Sequence, residues 1–356
     1  MPTVSVLIPT YNYARYLPEA IESVLAQDLE SVEIIISDDC STDGSAEIIA
    51  KYALRDSRIK ATIQKQNLGM VANWNWCLAQ AKGKYIKYLF GDDCLAHPAA
   101  LRKYVDLFES DPSISLVSSA RMIIDECSEP QKIWNELINN CPYPSGKLIA
   151  QCIIRDRNPI GEPSAVLFKR TDALRGFDVG FKQLVDLEMW FHLLQKGLLR
   201  HTDEALCCFR VHNEQQTSIN RANANGLTEM YQILRRYRPL LHESGHLMLG
   251  SLIDRLMLLR IQKSLRRIQP SSSEVKIALK WIQAQLPLTT RFLDHAAYRV
   301  EKFNKQIHYN LMRLQNNSTL RNGCSIQRAL LSRLRNVTAT HFLEGTQHAQ
   351  IYRARV

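Results

Sequence analysis

Gly91-Asp92-Asp93 is the triplet in this chain best suited to chemistry. It ends the run Tyr85–Phe90, whose aromatic and β-branched residues suit a buried strand. Adjacent carboxylates repel unless a positive charge sits between them. Mg²⁺ or Mn²⁺ carrying a substrate phosphate would supply one, because hard cations take oxygen ligands and share them with phosphates. A solvated turn is the competing reading, since Asp is common in turns. Two further polar loops, Thr10–Asn12 and Asp38–Ser45, also follow apolar runs.

The elements that must position these loops read as alternating strands and helices. Val4–Pro9, Val32–Ile36 and Ile59–Ile63 are strand candidates, separated by helical spacing over Leu17–Leu25, Ala46–Tyr52 and Met70–Ala81. That alternation predicts βαβ units and a mostly parallel central sheet. The three loops would then share one edge, where an open α/β sheet binds its ligand. The first loop has neither G-x-G-x-x-G nor G-x-x-x-x-G-K-[ST], so side chains and a metal would grip a nucleotide, without a glycine cradle.

The chain's 356 residues suffice for two domains, or one domain with a helical extension. Its nine cysteines are irregularly spaced with no C-x-x-C, which points away from a disulfide framework or zinc site and toward a reducing compartment. Neither a signal peptide nor a transmembrane run is expected. Residues 220–356 hold 22 Lys and Arg against 7 Asp and Glu, a balance of +15. The first 219 residues hold 23 against 28, or −5. A basic half of this kind suits an anionic partner or a solvated helical surface.

The blocks VSVLIPTYNYARYLPEAIESVLAQ, IIISDDCSTDGS and NLGMVANWNWCLAQAKGKYIKYLFGDD resemble family 2 glycosyltransferases of the GT-A fold, over about residues 3–218. The resemblance implies a Rossmann-like nucleotide-sugar domain at 1–220, followed by a basic helical region at 221–356. It implies that Pro9, Thr10, Tyr11, Asn12 and Asp39 hold the nucleoside, with Tyr11 stacking on the base. Asn67, Gly69 and Asn75 would flank the nucleotide; for Asn73 and Asn75, hydrogen bonding on a helix surface is the alternative. Asp92, with Asp93 and His212, would hold Mn²⁺ or Mg²⁺ and meet the donor diphosphate. Many relatives have Asp-X-Asp-Asp where this chain has Phe90-Gly91-Asp92-Asp93, so one carboxylate ligand is missing.

The same resemblance makes Asp186 the general base, in the helix start Val185–Phe191. An acceptor hydroxyl is a poor nucleophile, and a carboxylate opposite the leaving phosphate can take its proton. A helix N-cap is the structural alternative for Asp186. Glu188 is the reserve base or acceptor ligand, and Glu162 an acceptor ligand or a turn residue. Residues 119–150 have no readable pattern. Tyr231–Tyr237, Leu247–Ile268, Glu274–Gln285 and Leu293–Leu314 have helical spacing. Along Leu247–Ile268 the apolar face changes side, which favours packing over lying on a membrane.

The expectation is a metal-dependent, inverting hexosyltransferase. It would move a sugar from a nucleotide diphosphate to a saccharide or lipid-linked hydroxyl in surface polysaccharide or glycolipid synthesis. Its place would be the cytoplasm or, peripherally, the inner face of the membrane, with no nucleic-acid partner. A catalytically degenerate scaffold or carbohydrate-binding module is the alternative, and Phe90 is the feature in its favour.

Overall fold

A computed structural model describes residues 1–137, 142–155, 157–212 and 225–243. Contacts divide the chain into units Met1–Ala297 and Tyr298–Val356, and every described residue lies in the first. The helices expected over 247–268, 274–285 and 293–314 lie outside the described residues, as does the segment after His212 up to 224.

Strands β1 (Val4–Thr10), β2 (Val32–Asp38), β3 (Ile59–Ile63) and β4 (Tyr85–Tyr88) form a parallel set in the order β3-β2-β1-β4. β1 and β2 are buried at all seven positions. A strand covered on both faces has this continuous apolar composition. The period-2 alternation divides their side chains between two cores. Leu7 and Ile35 point to one, while Val6, Ile8, Ile34 and Ile36 point to the other. Helices α1 (Leu17–Leu25), α2 (Ser45–Arg55) and α4 (Ala100–Glu109) contribute to the second core, and α3 (Met70–Gln80) to the first.

Beyond β4 the sheet continues as β8-β6-β9-β5. β8 (Val166–Lys169) pairs antiparallel with β4 and β6, so parallel pairing holds in the first four strands and between β6 and β9. β6 runs from Ile114 to Ile124, β7 from Pro130 to Trp134 and helix α5 from Ser145 to Arg155. The unreadable stretch 119–150 is therefore largely regular. Its pattern is masked because β6 buries Ser118, Ser119 and Arg121. β9 is long, Leu198–Arg210, and its end pairs with the short β5 (Cys94–Leu95).

Helix α6 (Val185–Leu194) is apolar nearly all round, as a helix inside a core must be. Helix α7 (Asn225–Glu243) buries Met230, Ile233, Leu234 and Tyr237 in the same core as α6. The first core therefore takes in helix-period apolar residues beyond 220.

The edge opposite the polar loops is closed by Glu33. Its carboxylate accepts from Ser5 Oγ (2.6 Å), Lys82 N (2.6 Å) and Gly83 N (3.1 Å), and it pairs with Lys60. A Cβ on Gly83 would lie 2.5 Å from Ser5 N and 2.9 Å from the Val4 carbonyl carbon. Gly83→Ala should therefore destabilise the fold by about 1–3 kcal/mol. Urea denaturation measures this, and kcat at saturating substrate should stay at the wild-type value. An unchanged midpoint would mean that the strands shift freely there.

Candidate active site

The carboxyl ends of β1, β2 and β4 open on one cavity of about 650 Å³. Pro9, Thr10, Tyr11, Asn12, Asp39, Asn67 and Gly69 line one part of it. Trp74, Phe90, Asp92, Asp93, Glu162, Lys182 and Asp186 line the rest.

The first part is laced together by its own polar groups. Asn12 takes a left-handed backbone (φ 57°), which Asn tolerates. Its N–H donates to Ser41 Oγ (2.8 Å) and its Oδ1 accepts Thr42 N (2.9 Å). Asp39 accepts Leu68 N (2.6 Å) and Gly69 N (2.9 Å), which fixes the turn before α3. Gly69 has φ +86°, open to glycine far more readily than to other residues. Tyr11 is 46% exposed at the mouth, so its ring is available to stack. Asn73 reaches the cavity, but its amide is engaged by Ser37 Oγ (2.6 Å) and Ser37 O (3.0 Å). Asn75 is not among the lining residues. Its amide donates to Phe177 O (2.8 Å) and accepts Phe177 N (2.7 Å). These bonds tie α3 to the segment around Phe177.

The Gly-Asp-Asp turn is held from beneath by Arg210. The buried guanidinium donates to Asp92 O (2.7 Å), Asp125 O (2.9 Å), Ser128 Oγ (2.9 Å) and Glu19 Oε2 (2.5 Å). Arg210 N donates to Asp93 Oδ1 (3.0 Å). Burial, and then the charge of Asp92, push the Asp93 carboxyl well above the usual range. His212 Nε2 lies 3.1 Å from Asp92 Oδ2, with its ring beside Tyr13 and Tyr16. Its buried Nδ1 has no hydrogen-bond partner among the described residues. Among those residues no three His, Cys, Asp or Glu side chains converge as a metal-binding group. Asp92 and His212 come together, whereas Asp93 has one oxygen committed to β9. Phe90 stacks on Trp74 with ring centroids 4.8 Å apart, an apolar wall where relatives of the Asp-X-Asp pattern have a carboxylate.

Asp186 stands in the first turn of α6. Its Oδ2 accepts Asn158 Nδ2 (2.8 Å) and its Oδ1 accepts Leu187 N (2.8 Å). Glu162 is gripped by the buried Arg121 through Nε (2.8 Å) and Nη2 (3.3 Å), a two-point pairing. Burial and then the negative charge of Glu162 raise the Asp186 carboxyl to about 7, against the pull of its hydrogen bonds. Glu188 does not face the cavity. It is fully buried and ion-paired with Arg175 (2.6 Å) and Arg236 (2.5 Å), because it points into the core from the opposite side of α6. Arg121 and Lys182 are residues at the site that sequence reasoning misses. A buried arginine inside an apolar strand demands a carboxylate or carbonyl partner, and that is the signal that could have drawn attention to Arg121.

Residues 5–172 match the family model described as Glycosyl transferase family 2. The chain belongs to this family. An uncharacterised protein of Mycobacterium tuberculosis is 30% identical over 298 residues, covering 81% of this chain and 83% of its own. The putative glycosyltransferase EpsE of Bacillus subtilis is 40% identical over 126 residues, 35% of this chain and 45% of its own. Among solved structures, S. aureus TarS 1–349 in complex with UDP-GlcNAc superposes with a TM-score of 0.59 at 18% identity, over 86% of this chain and 92% of that one. The mannosyltransferase PcManGT from Pyrobaculum calidifontis, in complex with GDP-Man and Mn²⁺, gives 0.52 at 17% identity, over 86% and 87%. At such identities the likeness establishes the fold, which is GT-A, and the family makes the chain a glycosyltransferase.

The raised Asp186 carboxyl has a consequence for stability. A carboxyl lifted from 3.8 to about 7 binds its proton more tightly when folded. Its penalty is absent below the unfolded value and grows as pH rises toward 7. Asp186→Asn carries no such penalty. The variant should unfold at higher urea than wild type, with a larger gain at pH 8 than at pH 5. An equal difference at both pH values would place the Asp186 carboxyl in the ordinary range.

Proposed function

We propose that the cavity binds a nucleotide-diphosphate sugar and that Asp186 deprotonates the acceptor hydroxyl, with inversion at the anomeric carbon. The observation that carries this reading is one carboxyl, Asp186, in the same cavity as Asp39 and Asp92, buried beside Glu162 and raised to about 7. A base poised there is ionised often enough to act and still basic enough to take a proton.

Asp39 and the Pro9–Asn12 loop would hold the nucleoside, with Tyr11 over the base. Asp92 and His212 would hold Mn²⁺ or Mg²⁺, which supplies positive charge for the leaving diphosphate. Their contact, and the unpartnered His212 Nδ1, suit such a pair of donors. Asn158 orients the Asp186 carboxylate toward the acceptor. Glu162, braced by Arg121, offers a carboxylate to acceptor hydroxyls and keeps Asp186 basic through its charge. The acceptor is a saccharide or a lipid-linked saccharide, and the product a surface polysaccharide or glycolipid; the 40% identity over 92 residues to a putative teichuronic acid biosynthesis glycosyltransferase of Bacillus subtilis supports this class. No helix of the described residues is long and apolar enough to cross a membrane. A cytoplasmic enzyme, peripheral at the inner face when its acceptor is lipid-linked, fits the free thiols among the described cysteines. A degenerate scaffold would have little reason to keep Asp39, Asp92 and Asp186 around one cavity.

The test is turnover of a panel of nucleotide-sugars with and without Mn²⁺. One donor should turn over in a metal-dependent way, with a rate that rises with pH to a plateau above about 7. Asp92→Ala should abolish that turnover. Asp186→Asn should lower kcat by about 10²–10⁴-fold while donor Kd stays within about twofold. Failure of every donor to bind at millimolar concentration would end the donor reading, and a wild-type rate in Asp186→Asn would end the base assignment.

A further inference from the structure

Helix α6 carries Asp186 in its first turn but has no cap of its own. Its N-cap position is Leu184, which cannot accept a hydrogen bond through its side chain. The N–H groups of the three residues that lead into the helix are held from α7, by Glu229, 45 residues beyond Leu184. Glu229 Oε1 accepts Lys182 N (2.7 Å), and Oε2 accepts Gln183 N (2.9 Å) and Leu184 N (2.7 Å). Glu229 is 4% exposed, and its charge sits at the positive end of the α6 dipole. Lys182 and Gln183 line the cavity beside Asp186.

A second tie joins the same two helices one turn on. Glu188 of α6 accepts from Arg236 (2.5 Å) and from Tyr237 Oη (2.7 Å) of α7. Arg236 also pairs with Asp178 (2.8 Å), just ahead of the 182–184 segment. Asp186 lies between the two ties. It is not the N-cap, because that position is Leu184.

We propose that Glu229 is a positioning residue for Asp186. By holding the chain that enters α6 it fixes the 182–184 segment and leaves the Asp186 carboxylate directed at the acceptor. The proposal rests on Asp186 being the base. It makes α7, which lies beyond the residues matched by the family model, a part of the catalytic apparatus.

Losing Glu229 would free three N–H donors within one turn of Asp186, the nearest carboxylate on that helix. Asp186 would turn to accept from them and leave the cavity. A carboxylate that gains N–H donors becomes more acidic. The charged groups around Asp186 are Glu162 and Lys182, with Asp92 and Asp93 lining the same cavity, and none of them is altered by a substitution at 229.

The experiment compares steady-state transfer and its pH profile in wild type, Glu229→Ala, Glu229→Gln and Asp186→Asn. Glu229→Ala should lower kcat by roughly 10–100-fold, since small misplacements of catalytic groups cost that much. Donor KM should stay within about twofold, and the pH limb should move below its wild-type position near 7. Glu229→Gln, with one carbonyl oxygen in place of two carboxylate oxygens, should fall between the two. Should Glu229→Ala fail to fold, Glu229→Gln decides. A folded glutamine variant with wild-type kcat and an unmoved limb overturns the proposal, as does an alanine variant altered only in melting temperature. If Asp186→Asn itself transfers at the wild-type rate, the base assignment has failed, and that result is separate from any at 229.

Discussion

The Arg210 guanidinium is the interaction on which the catalytic edge depends. It is 1% exposed yet reaches the Gly-Asp-Asp turn, the 125–128 turn and Glu19 of α1, three segments far apart in the chain. Its stacking over Tyr16, at 4.6 Å, fills the remaining face. A buried cation is stable only when its donors are satisfied and its charge is answered. Backbone carbonyls satisfy part of the fork, and Glu19 answers the charge. The arrangement fixes where Asp92 stands, because its carbonyl is held directly. It also fixes His212, two residues on in the chain. Stripping away this cation would leave Glu19 and the backbone carbonyls without their donor. A loss on the order of 3–5 kcal/mol is typical for such a broken pair. That cost explains why so polar an element sits under a functional edge.

The parts of the fold that read directly from sequence are those where local composition and tertiary environment agree. β1 and β2 are buried on both faces, so their apolar runs announce them, and the polar loops after them fall at the cavity. The remainder is hidden for two physical reasons. β6 carries Ser118, Ser119 and Arg121 inside the core, each answered by a distant partner: Tyr104 for Ser119, His201 for Ser118 and Glu162 for Arg121. Nothing local distinguishes such a strand from a loop. Other roles depend on contacts across long separations. Asn75 looks like a ligand residue by its place in a motif, but its partner is Phe177, and Glu188 looks like a second acid beside Asp186 until Arg236 is brought to it. Glu229 has no motif at all, because a tie supplied by another helix leaves no spacing to find.

Glu162 and Asp186 show how environment divides equivalent groups. Glu162 is met by a guanidinium in a two-point pairing. Asp186 is met by an amide and a backbone N–H, both weaker than a charge, while burial and Glu162 oppose its ionisation. One carboxylate is thereby answered by a charge, and the other is held by neutral donors and raised to about 7. The division depends on Arg121, which is itself positioned by Trp134 across its face at 4.6 Å.

The charge balance of the cavity sets a condition on the proposed donor. Asp39, Asp92, Asp93, Glu162 and Asp186 line it, and the cationic side chain among the lining residues is Lys182. A diphosphate would add negative charge to a site already acidic, so electrostatics alone would exclude it. Protonation relieves part of this, since Asp93 and Asp186 both hold protons to unusually high pH. A divalent cation at Asp92 and His212 would relieve more, at the place where a leaving phosphate needs it. Phe90 bears on the same balance. A carboxylate at its position would add another charge, whereas its ring stacks on Trp74 and excludes water from the wall. With fewer protein carboxylates, the cation would owe more of its coordination to the diphosphate. The proposed metal and donor would then bind together more tightly than either alone, a coupling that is reciprocal by thermodynamic necessity.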